Sequence, residues 1–219
     1  MPMRLLPILL LFALVFSGSV SWAAAPGPYL EVEGYGTWLA DSKNDTDTGS
    51  FNIEYDGAET GWGVALGYDL VDAYPQIGQG RLELEAASRK NSLKKLDFAE
   101  GDLPATGDVT VKSLMVNTIA EYHNGTIWVP YLAIGLGYAE VSIDRIRTTG
   151  TDFISSSSDG VFAYQVGAGL GIAAGDHVTF DVGYRYFATL DPELELADGS
   201  KFTTQIGSHN VLLGMRFKY

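Results

Sequence analysis

Charged side chains recur at every second position in several segments of this 219-residue chain. Glu31 and Glu33 form one such pair, and Arg81, Glu83 and Glu85 repeat the spacing further on. Residues two positions apart lie on the same face of a β-strand. Because both signs occur, a shared interior would have to pair them, since an unpaired buried charge is costly. The set predicted on inward faces is Glu31, Glu33, Asp69, Arg81, Glu83, Glu85, Arg89, Glu121, Asp181, Arg185, Arg216 and Lys218.

The histidines are the residues that could support acid–base or nucleophilic catalysis. His123 and His177 fall in short turns, and His209 lies between Ser208 and Asn210. Nucleophilic catalysis needs an adjacent base and a group that orients it, and one histidine beside one serine is a weak match. The sequence therefore predicts no enzyme.

Oxygen ligands for a hard cation cluster in one acidic segment. They are Asp41, Asn44, Asp45 and Asp47, followed by Gly49. An EF-hand would require Gly at Ser50 and Glu at Asp56, so the template fails. The chain has no cysteine, which excludes thiol catalysis and thiolate metal sites. We predict a solvated acidic loop, no metal site and no cofactor, while the question whether this loop binds calcium stays open.

The elements that position these side chains are strands whose faces alternate. No stretch after the N-terminus offers 18 consecutive apolar residues, so helical membrane spans are excluded. Residues 178–188 are the clearest strand, with Val178, Phe180 and Val182 opposite Thr179 and Asp181. The predicted strands are about 28–40, 60–70, 80–90, 109–122, 128–140, 161–173, 178–188 and a last one running to the terminus.

The composition of the two faces favours a membrane barrel over a soluble barrel or sandwich. The apolar face carries large Tyr, Phe, Trp and Leu side chains, and the opposite face is rich in Gly with isolated charges. An eight-stranded barrel has room inside for the second face and not for the first. The predicted girdles are Trp38 and Trp62 on the loop side, with Tyr68, Tyr122, Trp128 and Tyr219 on the turn side. The fold class is therefore an all-β, eight-stranded antiparallel up-and-down transmembrane β-barrel with a polar, Gly-lined interior.

Connection lengths also alternate along the chain. Short turns are predicted at 123–126 and 174–177, with an intermediate connection at 71–79. Long polar loops are predicted at 41–59, 91–108, 142–160 and 189–205. In transmembrane barrels the short turns are periplasmic. Both termini are then expected in the periplasm, and the four long loops outside the cell.

Inside so narrow a barrel, the charged set has two interpretations. A structural network of salt bridges and hydrogen bonds would fill the lumen, whereas a charged constriction or gate would conduct. We favour the structural network because eight strands rarely leave an open channel.

The N-terminus predicts export. Arg4 precedes an apolar run from Leu5 to Phe16, and Ala23, Ala24 and Ala25 offer a small-residue cleavage site. We predict a signal peptide at 1–25 and a barrel domain at 26–219. The net charge of −13 argues against a nucleic-acid partner, which would need clustered Lys and Arg.

Three segments carry a family resemblance. Residues 129–138 (VPYLAIGLGY), 165–171 (QVGAGLG) and 181–186 (DVGYRY) resemble the opacity-like and surface-antigen family of small bacterial outer-membrane barrels. The last strand, with Met215, Phe217 and Tyr219, looks like the signal that the barrel assembly machinery reads. The resemblance implies a Gram-negative outer membrane, with its lipid and lipopolysaccharide as surroundings.

Members of this family are described as adhesins, surface antigens, small pores or proteins of unknown role. We therefore expect a non-enzymatic surface protein that is structural or adhesin-like and presents its loops to a host or environmental ligand. A small passive pore or a conduit for hydrophobic ligands is the alternative, and a lipid-modifying enzyme of the outer leaflet is the third hypothesis.

Overall fold

The fold consists of β-strands numbered β1 to β15 in chain order. The computed structural model describes residues 26–40, 42–46, 49–55, 57–70, 80–98, 101–123, 125–148, 151–154 and 156–219. No helix within these ranges is long and apolar enough to cross a membrane. The predicted signal peptide, 1–25, lies outside the described residues. Eight long strands form the barrel: β1 (Gly27–Leu39), β4 (Glu59–Asp69), β5 (Gly80–Phe98), β7 (Asp108–Glu121), β8 (Trp128–Ile143), β11 (Ser157–Ala173), β12 (Val178–Thr189) and β15 (Gly207–Lys218).

These eight strands close into a complete antiparallel barrel. Each pairs with the next along the chain, and β15 pairs with β1, with Glu31 opposite Arg216 and Trp38 opposite His209. Closure leaves no unpaired strand edge in this part of the sheet. The predicted eight-stranded up-and-down barrel is thereby confirmed.

The two ends of the barrel differ. The turn end, as we call it, holds the start of β1, the end of β15 and the short connections around 122–127 and 174–177. Residues 71–79, which join β4 to β5 at the same end, lie outside the described residues. The opposite end, the loop end, carries the longer connections.

The outward face of the barrel is apolar. Leu66, Leu132 and Ile134 are all more than 60% exposed. An apolar exterior of this kind is suited to contact with lipid and not with water. Aromatic side chains border this band, as predicted from the alternation. Those exposed near the loop end are Trp38, Trp62 and Tyr138, and those near the turn end are Tyr68, Tyr122, Trp128 and Tyr219.

Beyond this band the connections at the loop end are themselves strands. They are β2 (Ser42–Thr46), β3 (Gly49–Tyr55), β6 (Gly101–Thr106), β9 (Ile146–Thr148), β10 (Thr151–Ile154), β13 (Glu193–Glu195) and β14 (Lys201–Thr204). With the end of β5 they pair in the order β13, β14, β2, β3, β5, β6, β9, β10. An isolated bridge between Ile154 and Leu196, just after β13, joins the two ends of this series. We call this ring of strands the extension.

The extension encloses an apolar core. Ile53, Leu96 and Ile154 have no exposed surface. Phe187 and Phe202 are the largest fully buried side chains of this core. Other members are Tyr55, Leu93, Val109, Val111, Met115, Val141, Ile143, Ile146, Leu194 and Ile206. The interior is therefore polar toward the turn end and apolar toward the loop end.

The sequence prediction treated these connections as polar loops, and the difference has a physical reason. The added strands are only three to seven residues long, so few alternating apolar positions are visible in each. The pairing of β3 with β5 shifts register at Glu54 and Tyr55. Leu93 and Leu96 both become buried although they are three residues apart. A bulge of this kind breaks the period of two on which the prediction depends.

Candidate functional site: the charged lumen

Two carboxylates and two guanidinium groups form a cluster halfway along the lumen, which we call the central cluster. Arg185 Nη1 donates to Glu85 Oε2 at 2.6 Å, and Arg185 Nη2 lies 3.4 Å from Glu33 Oε1. Arg89 Nη2 lies 3.6 Å from Glu85 Oε1 and its Nη1 donates to Ser113 Oγ at 3.0 Å. Three strands, β1, β5 and β12, bring these charges together.

Neutral side chains complete the central cluster. The amides of Asn117 and Gln165 donate to Glu85 Oε2 at 2.7 and 3.0 Å. The Tyr35 hydroxyl contacts Glu85 Oε1 at 3.1 Å and also donates to Glu33. All these side chains are almost fully buried. Multiple hydrogen bonds of this type satisfy a carboxylate removed from water.

A second cluster lies nearer the turn end, and we call it the turn-side cluster. Arg81 contacts four carboxylates, with Glu121 at 3.1 Å and Glu83 at 3.2 Å the nearest and Asp181 and Glu31 at 3.6 and 3.9 Å. Arg216 shares two of them, Glu121 at 3.0 Å and Asp181 at 3.5 Å. Ten of the twelve predicted inward charges are thus brought together in these two clusters.

The turn end of the lumen opens into a cavity of about 270 Å³. Lys218 Nζ binds Asp69 Oδ2 at 2.6 Å there, and His123 Nε2 lies 2.9 Å from Glu121 Oε2. His177 also lines the cavity. Solvent at this mouth therefore reaches the outer edge of the turn-side cluster.

Three tyrosines project into the lumen, and glycines on neighbouring strands make room for them. A Cβ at Gly67 would lie 2.1 Å from the ring of Tyr29, and one at Gly169 would lie 2.4 Å from the ring of Tyr131. Tyr35 similarly lies over Gly63. Because a β-carbon cannot approach so closely, these inward glycines are required by the opposing rings.

The lumen tyrosines also cover the guanidinium groups. Arg81 lies 5.6 Å from the ring centre of Tyr29 and 5.3 Å from that of Tyr131, distances suited to cation–π contacts. Arg89 is held between Tyr35 and Phe187 at 4.8 and 4.6 Å. Sequence reasoning missed Tyr29, Tyr131 and Phe187 as lumen residues. Their signal was their parity, since each lies two residues from a predicted inward position.

The lumen is closed at two levels. Arg81, Arg89 and Arg185 are each at least 94% buried, so they and their partners fill the charged part of the lumen. Above Arg89, Phe187 belongs to the apolar core of the extension. A charged layer and an apolar layer thus lie in series along the barrel axis.

The Ser208 and His209 pair does not form a catalytic unit. Ser208 points inward, is 1% exposed, and has its Oγ hydrogen-bonded to Asn210 Nδ2 at 3.1 Å. His209 points outward, with Nδ1 2.5 Å from the hydroxyl of Tyr184 and its ring against Tyr186. Adjacent residues of a strand face opposite sides, so the hydroxyl and the imidazole lie on opposite faces of β15.

The structure describes only part of the acidic segment that was considered as a cation site. Asp41 and Asp47 lie outside the described residues, and Asn44 and Asp45 fall in β2. In the part of the chain that the structure describes, no three His, Asp or Glu side chains are grouped to hold a metal ion.

The residues of the predicted assembly signal share the outward face at the end of the chain. Met215 and Phe217 are 37% exposed on β15, and Tyr219, the last residue, is 81% exposed. This placement presents a continuous apolar row at the turn end.

A closed barrel with an apolar outer band, aromatic borders and a charged interior defines a β-barrel membrane protein. The chain matches the outer membrane protein beta-barrel domain family over residues 8–217, and it belongs to this family. Its location is the outer membrane of a Gram-negative bacterium.

Known proteins agree with this assignment. Outer membrane protein PagN of Salmonella typhimurium is 32% identical over 138 residues, which cover 58% of this chain and 56% of PagN. The chain thus spans little more than half the length of this relative. Two solved structures are similar: Neisserial surface protein A (18% identity, 89% of this chain and 99% of that one, TM-score 0.52) and OprG of Pseudomonas aeruginosa (14%, 88% and 97%, 0.56). At these identities the likeness shows the fold alone.

Proposed function

We propose that this protein is a closed, non-enzymatic surface barrel that presents the extension for attachment or recognition. The observation that supports this most directly is the closure of the lumen by charged side chains and then by an apolar core. A barrel so filled has no path for solutes. Its functional surface is then the exterior of the extension.

The construction of the extension supports a binding role. Its strands are hydrogen-bonded into a ring and packed around Phe202, Leu194 and Ile53. A preformed surface loses less conformational entropy on binding than flexible loops would. Exposed carboxylates mark one side of it, at Glu193 and Glu195. We infer that the signal peptide 1–25 is removed and that the turn end faces the periplasm. The extension then lies outside the cell, where a partner can bind it.

The assembly and surroundings follow from the same placement. The outward row of Met215, Phe217 and Tyr219 is the element we propose the barrel assembly machinery reads. Lipid and lipopolysaccharide would surround the apolar band.

Planar bilayers test the closed lumen. Purified, refolded protein is expected to give no stable conductance steps, with a porin of known conductance as the positive control. Reproducible steps would contradict the proposal. The recognition role is tested by attachment of producing cells to cultured epithelial monolayers, comparing wild type with the Glu193→Lys, Glu195→Lys double variant. Equal attachment by producing and non-producing cells would contradict it.

A conduit for hydrophobic ligands is the second candidate, because the interior of the extension is apolar. A conduit would require the packed side chains around Phe187 to separate. Entry of a hydrophobic fluorescent probe into cells distinguishes the two functions. A closed barrel gives the uptake of non-producing cells, and faster uptake that Phe187→Ala increases would favour the conduit.

A further inference from the structure

One junction in the wall at the loop end is closed by side chains and not by a backbone ladder. The ladder between β11 and β12 ends where Ala163 faces Thr189. From there the chain continues into β13, which lies beside the start of β11. In the described part of the chain, these two strands are not joined by a ladder. We call the junction of residues 157–161 with residues 191–196 the seam.

The carboxylate of Asp159 bridges the two sides of the seam. Its Oδ1 accepts a hydrogen bond from the backbone N–H of Gly160 at 2.8 Å, and its Oδ2 accepts one from the N–H of Glu193 at 2.9 Å. Ser157 Oγ accepts a third from the N–H of Glu195 at 3.3 Å. The edge of β13 therefore points its amide groups toward β11, where side-chain oxygens take the place that carbonyl groups occupy in a ladder.

The bonds that close the seam are ones that an added strand can replace. A strand edge with amide groups directed outward is a template for pairing with another chain. Carbonyl groups of an added strand would accept from the two amides of β13 as the side chains do now, so the exchange costs little hydrogen-bond energy. Beyond the seam the ring is joined by the isolated bridge between Ile154 and Leu196, which resists widening less than a ladder does.

The inner side of the seam is apolar and incompletely covered. Leu194 and Ile154 are fully buried beside it. Val161 and Leu196 pack against the same core and are only partly buried. Apolar side chains of an added strand would cover these two residues, and the burial of apolar surface is the main favourable contribution to protein association.

The outer side of the seam is acidic. Asp191, Glu193 and Glu195 are exposed beside it, and Asp159 lies within it. Lys201 Nζ pairs with Glu193 Oε1 at 2.5 Å, so four carboxylates and one cation leave three negative charges in this group. Because successive side chains of a strand point to opposite faces, a segment that alternates apolar and basic residues would match both sides of the seam.

We propose that the seam accepts an extended segment of a partner protein as an added strand, with its apolar residues toward the core and its Lys or Arg residues toward the carboxylates. The backbone of this segment replaces the hydrogen bonds from Asp159 and Ser157. In strand addition, main-chain hydrogen bonds give affinity and alternate side chains give specificity. The proposal rests on the recognition role proposed for the extension, and it names the part that binds and the class of partner.

Binding of a synthetic peptide to the purified barrel in detergent micelles tests the seam directly. The probe is a fluorescently labelled heptapeptide that alternates Val and Lys. One control peptide alternates Val and Glu, and the other has the composition of the probe with all Val residues placed before all Lys residues. Fluorescence anisotropy should show saturable binding of the probe, at least about tenfold tighter than binding of either control. No saturable binding, or equal binding of the three peptides, would overturn the proposal.

A modified probe tests main-chain pairing without changing the protein. N-methylation of the Lys residues removes their backbone donors and keeps every side chain. If the peptide binds as a strand, the methylated probe should bind at least about tenfold more weakly. Equal affinity of the two probes would show that side chains alone hold the peptide and would refute strand addition.

A disulfide across the seam shows where the peptide binds. The chain has no cysteine, so Ser157→Cys combined with Glu195→Cys gives a single possible cross-link. The oxidised double variant should lose binding of the probe, and reduction of the same sample should restore it. Equal binding by the oxidised and reduced forms would place the peptide elsewhere and contradict the proposal.

Attachment of cells separates this proposal from the recognition role on which it rests. Cells that produce the oxidised double variant should attach less than cells that produce wild type. Equal attachment of the two would refute the seam as the binding site while the recognition role stands. If wild-type producers attach no better than non-producing cells, the recognition role is contradicted, and the peptide measurements still decide whether the seam accepts a strand.

Discussion

Arg185 Nη1 lies 2.6 Å from Glu85 Oε2, although the two residues are one hundred positions apart in the chain. The bond crosses the lumen from β12 to β5, two strands that are not neighbours in the barrel. Cross-lumen contacts of this type tie opposite walls together in addition to the hydrogen bonds between adjacent strands.

Removing this contact should destabilise the barrel strongly. Arg185→Met leaves Glu85 and Glu33 without their shared cation, and breaking one partner of a buried pair typically costs about 3 to 5 kcal/mol. The free energy of unfolding in urea measures the loss. The bilayer assay provides a second readout. Higher conductance with unchanged stability would show that Arg185 gates a pore and would contradict a structural role.

Adding one carbon at Gly169 should also destabilise the barrel. A Cβ there meets the Tyr131 ring at 2.4 Å, and overpacking of a dense interior costs about 1 to 3 kcal/mol. Gly36→Ala is the control, because its Cβ finds Trp38 at an ordinary 3.7 Å. The temperature at which the folded band disappears on gels should fall for Gly169→Ala only. Tyr131→Leu in the same chain should restore part of the loss, and no rescue would show that the strain arises elsewhere.

The extension should be able to unfold while the membrane part of the barrel stays folded. Phe202→Ala removes a 2% exposed side chain from its core, a change that costs about 3 to 5 kcal/mol in typical cores. Protease added to intact cells should then cut the loop end while the barrel stays folded. Leu103→Ala, at a residue 40% exposed, should leave protease resistance intact. Resistance of both variants would mean that the extension does not depend on this core.

The surface ion pairs of Glu54 with Lys94 and Lys95 should contribute little to the stability of the fold. Hydrogen bonds from Lys95 and Lys94 lower the pKa of Glu54 below its usual 4.5. A lowered pKa stabilises the folded state above the ordinary pKa and loses that effect as pH falls. Glu54→Gln should therefore match wild type in thermal stability near pH 7, because exposed pairs are weak. The small difference between the two proteins should be present near pH 7 and disappear as pH falls below about 4.5. A large loss of stability at pH 7 would contradict this assignment.

Heat-modifiable migration on gels tests the fold as a whole. A folded barrel resists detergent until boiled, so unboiled and boiled samples should run differently. Identical migration of the two samples would contradict a folded membrane barrel.

The membrane part of this fold could be predicted because its alternation is long and regular. Strand β12 alone places Val178, Phe180 and Val182 outward against Thr179 and Asp181, and seven similar segments leave one closed arrangement. The inward charges could be named from parity alone. The pairing of particular carboxylates with particular cations could not be predicted, because it depends on how strands distant in the chain are placed around the lumen. Glu85 and Arg185 are an example.

The extension escaped prediction for a different reason. Its strands are short, a bulge disturbs the spacing of Leu93 and Leu96, and their apolar residues face an interior that only the assembled ring creates. Tyr29 and Tyr131 were missed because aromatic residues in a membrane barrel usually face the bilayer. Their parity in the sequence pointed inward, but the space for such large rings is provided by the glycines opposite them. That relation appears across strands and not along the sequence.

The ring of the extension has one link that differs from the rest, the isolated bridge between Ile154 and Leu196. Every other junction in the ring is made by paired strands, so local opening is easiest at this link. Backbone amides beside it should exchange with deuterated solvent before those of β3 and β5. The loop end should therefore open locally at one defined place, and a partner that inserts into the ring would enter there.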